Sequence, residues 1–337
     1  MLKSIIRIAA SALGVTLLMT GCAKWLDPAP ASGNTPISFS AGSSLLRDDV
    51  TKASFESGAS FYVFGAKTIS LSHYPVFTGQ TVTYDGSAWT YSPARFWDPN
   101  ASRYDFLAIS GPASASDITC TPSTLPLLAT VTYSPTVSQY DLLAACADRT
   151  DGSITPVDLE FHHMLSAVSV VVYNDSPTQS ITLNSYGFKN LCTQATLTVE
   201  QDLNTPESGW VSPSYDSNVV LGDDDGAVLA SGGSHYPTST ITDYMIPQAL
   251  NPLGSSAPTL VLNYTYQETG DPEPTNVVTP IRLQDIKTLG SDEAITSWQP
   301  GVKYTYQIHI RMGGGIRVHV ITTEWEEVNA ETPGLMI

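Results

Sequence analysis

The side chains that could carry acid–base or metal chemistry are scattered along this 337-residue chain. Its six histidines lie at positions 73, 162, 163, 235, 309 and 319, so His162 and His163 are the one adjacent pair. On a strand, neighbouring side chains point to opposite faces, and these two rings could not chelate one metal ion without a bend. We therefore predict a structural role, with one ring buried at a domain seam and the other exposed.

The other sequence patterns that could indicate a catalytic or metal site are weak. Residues 223–226, Asp-Asp-Asp-Gly, resemble part of a calcium loop, but the alternating acids and the distant glutamate are missing, which favours a solvated turn. A pair of catalytic carboxylates of the glycoside-hydrolase type is still an open alternative, because two of the 32 acidic residues could converge in the fold, but their spacing in the sequence identifies no such pair. The sequence contains no serine-nucleophile, zinc-protease, phosphate-loop or dinucleotide motif. We predict no enzyme, no metal site and no cofactor.

The N-terminus is typical of an exported protein. A short basic start precedes the apolar residues 8–19, and this run is shorter than the about 20 residues of a membrane-spanning helix. It ends at Leu-Met-Thr-Gly-Cys, residues 18–22, which resembles the lipobox of bacterial lipoproteins. That resemblance implies a signal peptide over residues 1–21 and lipid attachment at Cys22. An ordinary signal peptide with an incidental cysteine is the alternative.

Composition narrows the class of protein. The net charge is −17, and loss of Lys3 and Arg7 with the signal would make it −19, which argues against nucleic acid as a partner. Charged residues are only 14% of the chain, and the many threonines, valines and tyrosines favour strands. The three further cysteines allow one disulfide at most or buried free thiols, and their spacing does not fit zinc: Cys120, Cys146 and Cys192.

Short strand-like runs with turn signals between them recur along the whole chain. Residues 168–173 are almost continuously apolar, and residues 304–310 alternate strictly, placing Tyr304, Tyr306, Ile308 and Ile310 on one face. Such strands predict an all-β chain of two antiparallel β-sandwiches in series. The predicted limits are a tether over 22–36, a first sandwich over 37–153 and a second over 154–337.

Aromatic side chains cluster between residues 89 and 104. Trp89, Tyr91, Phe96, Trp97 and Tyr104 could form a platform on which a sugar stacks. The alternation of Trp89, Thr90 and Tyr91 favours a sandwich core instead.

Several stretches, in this order, resemble the fimbrillin family, the type V pilins and related lipoproteins of Bacteroidota: residues 61–65, 89–97, 104–108, 141–166, 244–248, 298–306 and Trp325. The resemblance covers roughly residues 37 to 328. It implies two tandem transthyretin-like sandwiches and a fimbrium at the outer membrane or cell surface. It also implies assembly with other pilin subunits or with itself, in which a protease removes an N-terminal strand after an arginine and a neighbour's strand fills the groove.

The resemblance points to particular residues for these roles. Arg47 is the candidate cleavage site, although a surface arginine in a linker is an equal alternative. Ile37 and Phe39 are candidates for the removed strand, and Leu335 and Ile337 for a donor strand, although the C-terminal apolar stretch is short. We predict a fimbrial subunit or pilus-associated adhesin that contacts a host or bacterial receptor. A surface glycan-binding lipoprotein is the alternative.

Overall fold

A computed structural model describes residues 35–43, 57–150, 155–202, 205–215, 221–235, 243–251, 257–267, 270, 272–311, 313 and 315–325. Strands dominate these ranges, which contain two short 3-10 turns, Ala115–Asp117 and Leu283–Asp285, and no α-helix. The all-β prediction is confirmed. Within the same ranges, no helix is long and apolar enough to cross a membrane. The signal peptide, Cys22, Arg47, Leu335 and Ile337 lie outside the described residues.

In chain order the strands are β1 (Phe39–Ser43), β2 (Ser60–Ile69), β3 (Ser72–Tyr84), β4 (Trp89–Thr90), β5 (Arg103–Ser110), β6 (Ile118–Cys120), β7 (Leu128–Tyr133), β8 (Leu143–Arg149), β9 (Val157–His163), β10 (Ser166–Asn174), β11 (Ile181–Lys189), β12 (Cys192–Asp202), β13 (Thr205–Tyr215), β14 (Leu221–Leu229), β15 (Ser234–His235), β16 (Asp243–Met245), β17 (Thr259–Tyr266), β18 (Thr275–Arg282), β19 (Lys287–Thr288), β20 (Val302–Ile310) and β21 (Ile316–Glu324).

Two sheets build the first of two domain-like bodies. One has seven strands in the order β1-β9-β8-β5-β2-β3-β4, and the other has four in the order β13-β12-β7-β6. Alternation explains their packing: Ala129, Val131 and Tyr133 of β7 are buried, whereas the residues between them are more exposed. These side chains share one core with Leu107 of β5 and Leu197 of β12. The first body is therefore a sandwich of the two sheets.

Two further sheets build the second body. One has the order β15-β10-β20-β21-β19, with β16 also paired to β10, and the other has the order β14-β11-β17-β18. The predicted alternation over residues 304–310 is confirmed, because Tyr304, Tyr306, Ile308 and Ile310 are all buried in the core of this body. Val168, Val170 and Val172 of β10 join the same core.

Strand direction differs in part from the prediction of antiparallel sheets. Most pairs are antiparallel, but β1–β9, β10–β20 and β19–β21 run parallel. A period of two places side chains on a face but carries no information about the direction of a partner that is distant in sequence. The acidic residues 223–226 also differ from expectation: they belong to β14, where Asp223 pairs with Tyr186 of β11 beside a β-bulge, and do not form a solvated turn.

Strand pairing crosses the predicted boundary after residue 153. Strand β9 pairs with β1 and β8, and β12 pairs with β7, so residues 157–163 and 192–202 are hydrogen-bonded to the N-terminal half of the chain. The division of the chain at residues 153 and 154 stays a prediction.

Candidate functional site

The first strand hydrogen-bonds to two separate parts of the first body. Strand β1 lies at the end of the seven-stranded sheet and runs parallel to β9, with Phe39 opposite Val157. The residues just before β1 pair with the loop that follows β4, the strand at the other end of the sheet. There the Ile37 N–H donates to the Arg95 carbonyl over 2.8 Å, and the Trp97 N–H donates to the Thr35 carbonyl over 3.0 Å. We call the space that residues 35–43 fill between these two partners the β1 groove.

Side chains of residues 37–41 alternate between the protein interior and solvent. Ile37 and Phe39 are buried, with 1% and 4% of their surface exposed, whereas Ser38 and Ser40 are half-buried. The Ser40 hydroxyl donates to the Asp158 carboxylate over 2.8 Å. This period of two follows from strand geometry, and it presents an aliphatic and an aromatic side chain to the groove.

Four aromatic rings surround the Phe39 ring and form what we call the aromatic pocket. The ring centroids of Phe61, Phe77, Tyr91 and Phe106 lie 6.1, 5.5, 5.8 and 5.8 Å from the centroid of Phe39, and all four contacts are edge-on. Edge-on contacts place the positive edge of one ring against the negative face of another, which adds to the gain from burial. The pocket draws on β2, β3, β5 and the loop after β4, so it exists only when the sheet is assembled.

The Tyr91 hydroxyl joins the two sides of the groove. It donates to the Ile37 carbonyl over 2.7 Å and accepts the Arg95 N–H over 3.3 Å. Burial raises the pKa of Tyr91, so the phenol stays protonated at neutral pH and keeps the proton that it donates. Tyr91 therefore holds the backbone of the first strand against the loop after β4.

An ion pair holds the same loop next to the sheet. Lys67 of β2 lies 2.6 Å from Asp98, and their hydrogen bond lowers the pKa of Asp98. The Tyr104 hydroxyl accepts the Asp98 N–H. The loop that forms one wall of the groove is thus tied to β2 and β5 by polar contacts of its own.

The aromatic cluster that could have been a sugar platform belongs mainly to this core. Trp97 and Tyr104 are each 2% exposed and pack edge-on with 4.6 Å between their ring centroids. Trp89 and Tyr91 are half-buried against the same core, and Phe96 is half-exposed. Buried rings cannot offer a face to a saccharide, so the geometry favours the core interpretation.

A second polar cluster lies where β9 leads into β10. His163 is buried, and its Nδ1 atom lies 3.0 Å from the buried Asp141 carboxylate. Its ring stacks on Trp325 with 3.9 Å between ring centroids, and Trp325 stacks in turn on Tyr244. His162 is half-buried, and burial lowers its pKa. The sequence contained no signal for the partners Asp141 and Trp325, because both lie far from His163 along the chain.

The structure brings some of the predicted residues together and leaves others apart. Ile37 and Phe39 share the β1 groove. Cys120, Cys146 and Cys192 are free thiols, and burial raises the pKa of Cys120 and of Cys146 to about 12. In the described part of the chain, no group of three or more histidine, cysteine or acidic side chains could hold a metal ion.

Comparisons with known proteins give one family and a set of similar structures. Residues 49–325 match the family described as fimbrillin-like. A candidate cell adhesion protein from Bacteroides eggerthii is 12% identical, with 89% of this chain and 97% of that chain covered and a TM-score of 0.47. A candidate cell adhesion protein from Bacteroides uniformis is 15% identical, with 87% of this chain and 100% of that chain covered and a TM-score of 0.45. The C-terminally truncated tip fimbrial protein Mfa3 from Porphyromonas gingivalis is 9% identical, with 80% of this chain and 95% of that chain covered and a TM-score of 0.38. No curated protein matches the chain.

Proposed function

Because the chain belongs to the fimbrillin-like family, whose members are non-enzymatic adhesion and fimbrial proteins, we propose that it is a fimbrial subunit or pilus-associated adhesin that assembles by strand donation. In this proposal it is exported as a lipoprotein through Cys22 and consists of two tandem transthyretin-like sandwiches. Its partners are other pilin subunits or further copies of itself. One observation carries the proposal: the first strand fills a groove between β9 and the loop after β4 and contributes buried apolar side chains to it.

Loss of β1 would leave the first body incomplete. The N–H and C=O groups of β9 and of residues 95–97 that now bond to the first strand would lose their partners, and the aromatic pocket would be empty. Unpaired backbone groups and exposed apolar surface are both unfavourable. A strand from a neighbouring subunit restores both kinds of contact by adding to the sheet, which is the physical basis of strand donation.

The position of Arg47 suits the release of β1. It follows Ser43, the last residue of β1, within a few residues, and precedes β2. A cut after Arg47 would free residues 22–47, which contain both β1 and Cys22. The region that matches the family begins at residue 49 and so excludes β1. In this proposal the lipid delivers the precursor to the outer membrane and leaves with the first strand.

The proposal predicts that cleavage at Arg47 is required for assembly. In cells that make the other pilin subunits, the unaltered chain is expected to run as ladders on SDS gels of unboiled samples, because the arginine-specific cut exposes the β1 groove and donated strands resist dissociation. The variant Arg47→Ala is expected to stay monomeric in the same cells. The matched control is Arg317→Ala, which removes an exposed arginine from β21 and is expected to assemble like the unaltered chain. Ladders of equal intensity from Arg47→Ala would refute the role of this cut.

A further inference from the structure

We propose that the β1 groove selects its donor strand by one aromatic side chain at the position opposite Val157, and that residues 326–337 of a second copy are therefore not the strand that fills it. The inference rests on the proposed strand exchange and specifies its partner. The aromatic pocket is the reason for the selection, because its four rings come from separate parts of the first body and pack against one another. The centroids of Phe77 and Tyr91 are 5.4 Å apart, and those of Phe77 and Phe106 are 6.2 Å apart.

Those contacts give the pocket little freedom to collapse around a smaller side chain. Phe77 and Phe106 are 1% and 0% exposed with the Phe39 ring in place, and Phe61 also packs on Trp89 and Phe161. In a densely packed interior, a side chain that is too small leaves a cavity and loses both burial and contacts. An incoming strand without an aromatic residue at this position would therefore bind much more weakly.

Main-chain contacts fix which residue of the incoming strand enters the pocket. The Tyr91 hydroxyl bonds to the carbonyl of Ile37, and the Val157 N–H donates to the Ser38 carbonyl over 2.8 Å. Both carbonyls precede Phe39, so the chain is held from both sides just before the aromatic residue. A one-residue slip would turn the aromatic side chain away from the pocket.

The neighbouring positions complete the pattern that the groove recognises. Two places before the aromatic residue the groove holds a buried aliphatic side chain, that of Ile37. The residue directly after the aromatic one faces Asp158, whose carboxylate accepts a hydrogen bond from the Ser40 hydroxyl. At Gly42 an added Cβ would meet nothing within 4 Å, so this position is not selected. The recognised strand runs parallel to β9 and has an aliphatic residue, then any residue, then an aromatic residue and then a hydroxyl-bearing one.

Residues 326–337 of this chain do not match that pattern. They read Glu-Glu-Val-Asn-Ala-Glu-Thr-Pro-Gly-Leu-Met-Ile and contain no aromatic residue. If Leu335 took the place of Ile37, Ile337 would take the place of Phe39, and the pocket would hold an aliphatic side chain. The aromatic pocket of this chain therefore disfavours residues 326–337 as its occupant.

Peptide binding to the cleaved protein tests this specificity. The full chain is cut with the arginine-specific protease, the freed fragment is removed, and fluorescein-labelled peptides are titrated by fluorescence anisotropy. The peptide of residues 35–43 is expected to bind, and its Phe39→Ala form to bind at least about a hundredfold more weakly, as large-to-small changes in a core do. The matched control is the Ser38→Ala form, which changes a half-buried side chain between Ile37 and Phe39 and is expected to bind within about threefold of the native peptide.

The peptide of residues 326–337 is expected to bind no better than the Phe39→Ala form. Equal binding of the native and Phe39→Ala peptides, or binding of the 326–337 peptide as tight as that of the native one, would overturn the selection by an aromatic residue while leaving strand exchange in place. If no peptide binds, the native one included, strand exchange itself fails and the inference fails with it.

Discussion

Replacing Phe39 by alanine is expected to lower the free energy of unfolding of the uncleaved chain by up to about 3–5 kcal/mol, the range for large aromatic-to-alanine changes in a core. The reason is the aromatic pocket, in which the ring is 4% exposed and touches four other rings edge-on. Because β1 lies at the end of its sheet, the strand can detach without global unfolding. The loss in the free energy of unfolding therefore cannot exceed the free energy with which β1 docks on the rest of the first body.

Urea unfolding and hydrogen exchange measure the two parts of this effect. Unfolding gives the global loss, and the amides of β1 are expected to exchange much faster in the variant than in the unaltered chain. Phe96→Ala is the matched control, because Phe96 is the same residue type in the loop that pairs with the first strand but is 49% exposed. It is expected to cost about 1 kcal/mol or less. A cost of Phe39→Ala no larger than that of Phe96→Ala would show that the pocket does not hold β1.

Replacing His163 by alanine is expected to lower the free energy of unfolding by about 3 kcal/mol, because a buried polar group that loses its hydrogen-bond partner costs about 1–3 kcal/mol and the packing of a buried ring is lost as well. Burial raises the pKa of Asp141, and its hydrogen bond to His163 opposes that rise. Without His163 the carboxyl group is left buried without this partner. The stacking of the imidazole ring on Trp325 is lost as well.

Thermal or urea unfolding of four variants tests this second prediction: His163→Ala, Asp141→Ala, the two combined, and the control His162→Ala. His162→Ala is the matched control, since it removes the neighbouring ring, which is half-buried, and a cost of about 1 kcal/mol or less is expected. The double variant Asp141→Ala with His163→Ala is expected to cost less than the sum of the two single changes, because the partners lie within hydrogen-bond distance. Additive costs, or equal costs for His162→Ala and His163→Ala, would contradict the assigned pairing.

Local patterns in the sequence predicted strands better than they predicted partners. The alternation of residues 304–310 identified the buried face of β20, because the side-chain period depends only on the backbone of that strand. The parallel pairing of β20 with β10 was not predictable, because the two strands are far apart in sequence and alternation is the same in either direction. The prediction of a turn at residues 223–226 is wrong for a related reason, since the pairing of these residues with β11 overrides their low strand propensity.

The candidate site shows the same division between local and distant information. Residues 37–41 alternate, and the sequence predicts a strand there, close to the observed β1. Nothing in the chain indicated that Phe61, Phe77, Tyr91 and Phe106 would converge on Phe39, because the pocket arises only when separate strands assemble. Of these four residues only Tyr91 belongs to the aromatic cluster that the sequence shows between residues 89 and 104, and its role as a wall of the groove depends on tertiary structure.

The N-terminal residue of the assembled protein tests the central claim most directly. Mass spectrometry of the protein recovered from cells in assembled form is expected to find Asp48 as the first residue, with residues 22–47 absent and the β1 groove filled by another subunit. An acylated Cys22 at the N-terminus of the assembled protein, with β1 retained in the chain, would contradict assembly by strand donation into this groove.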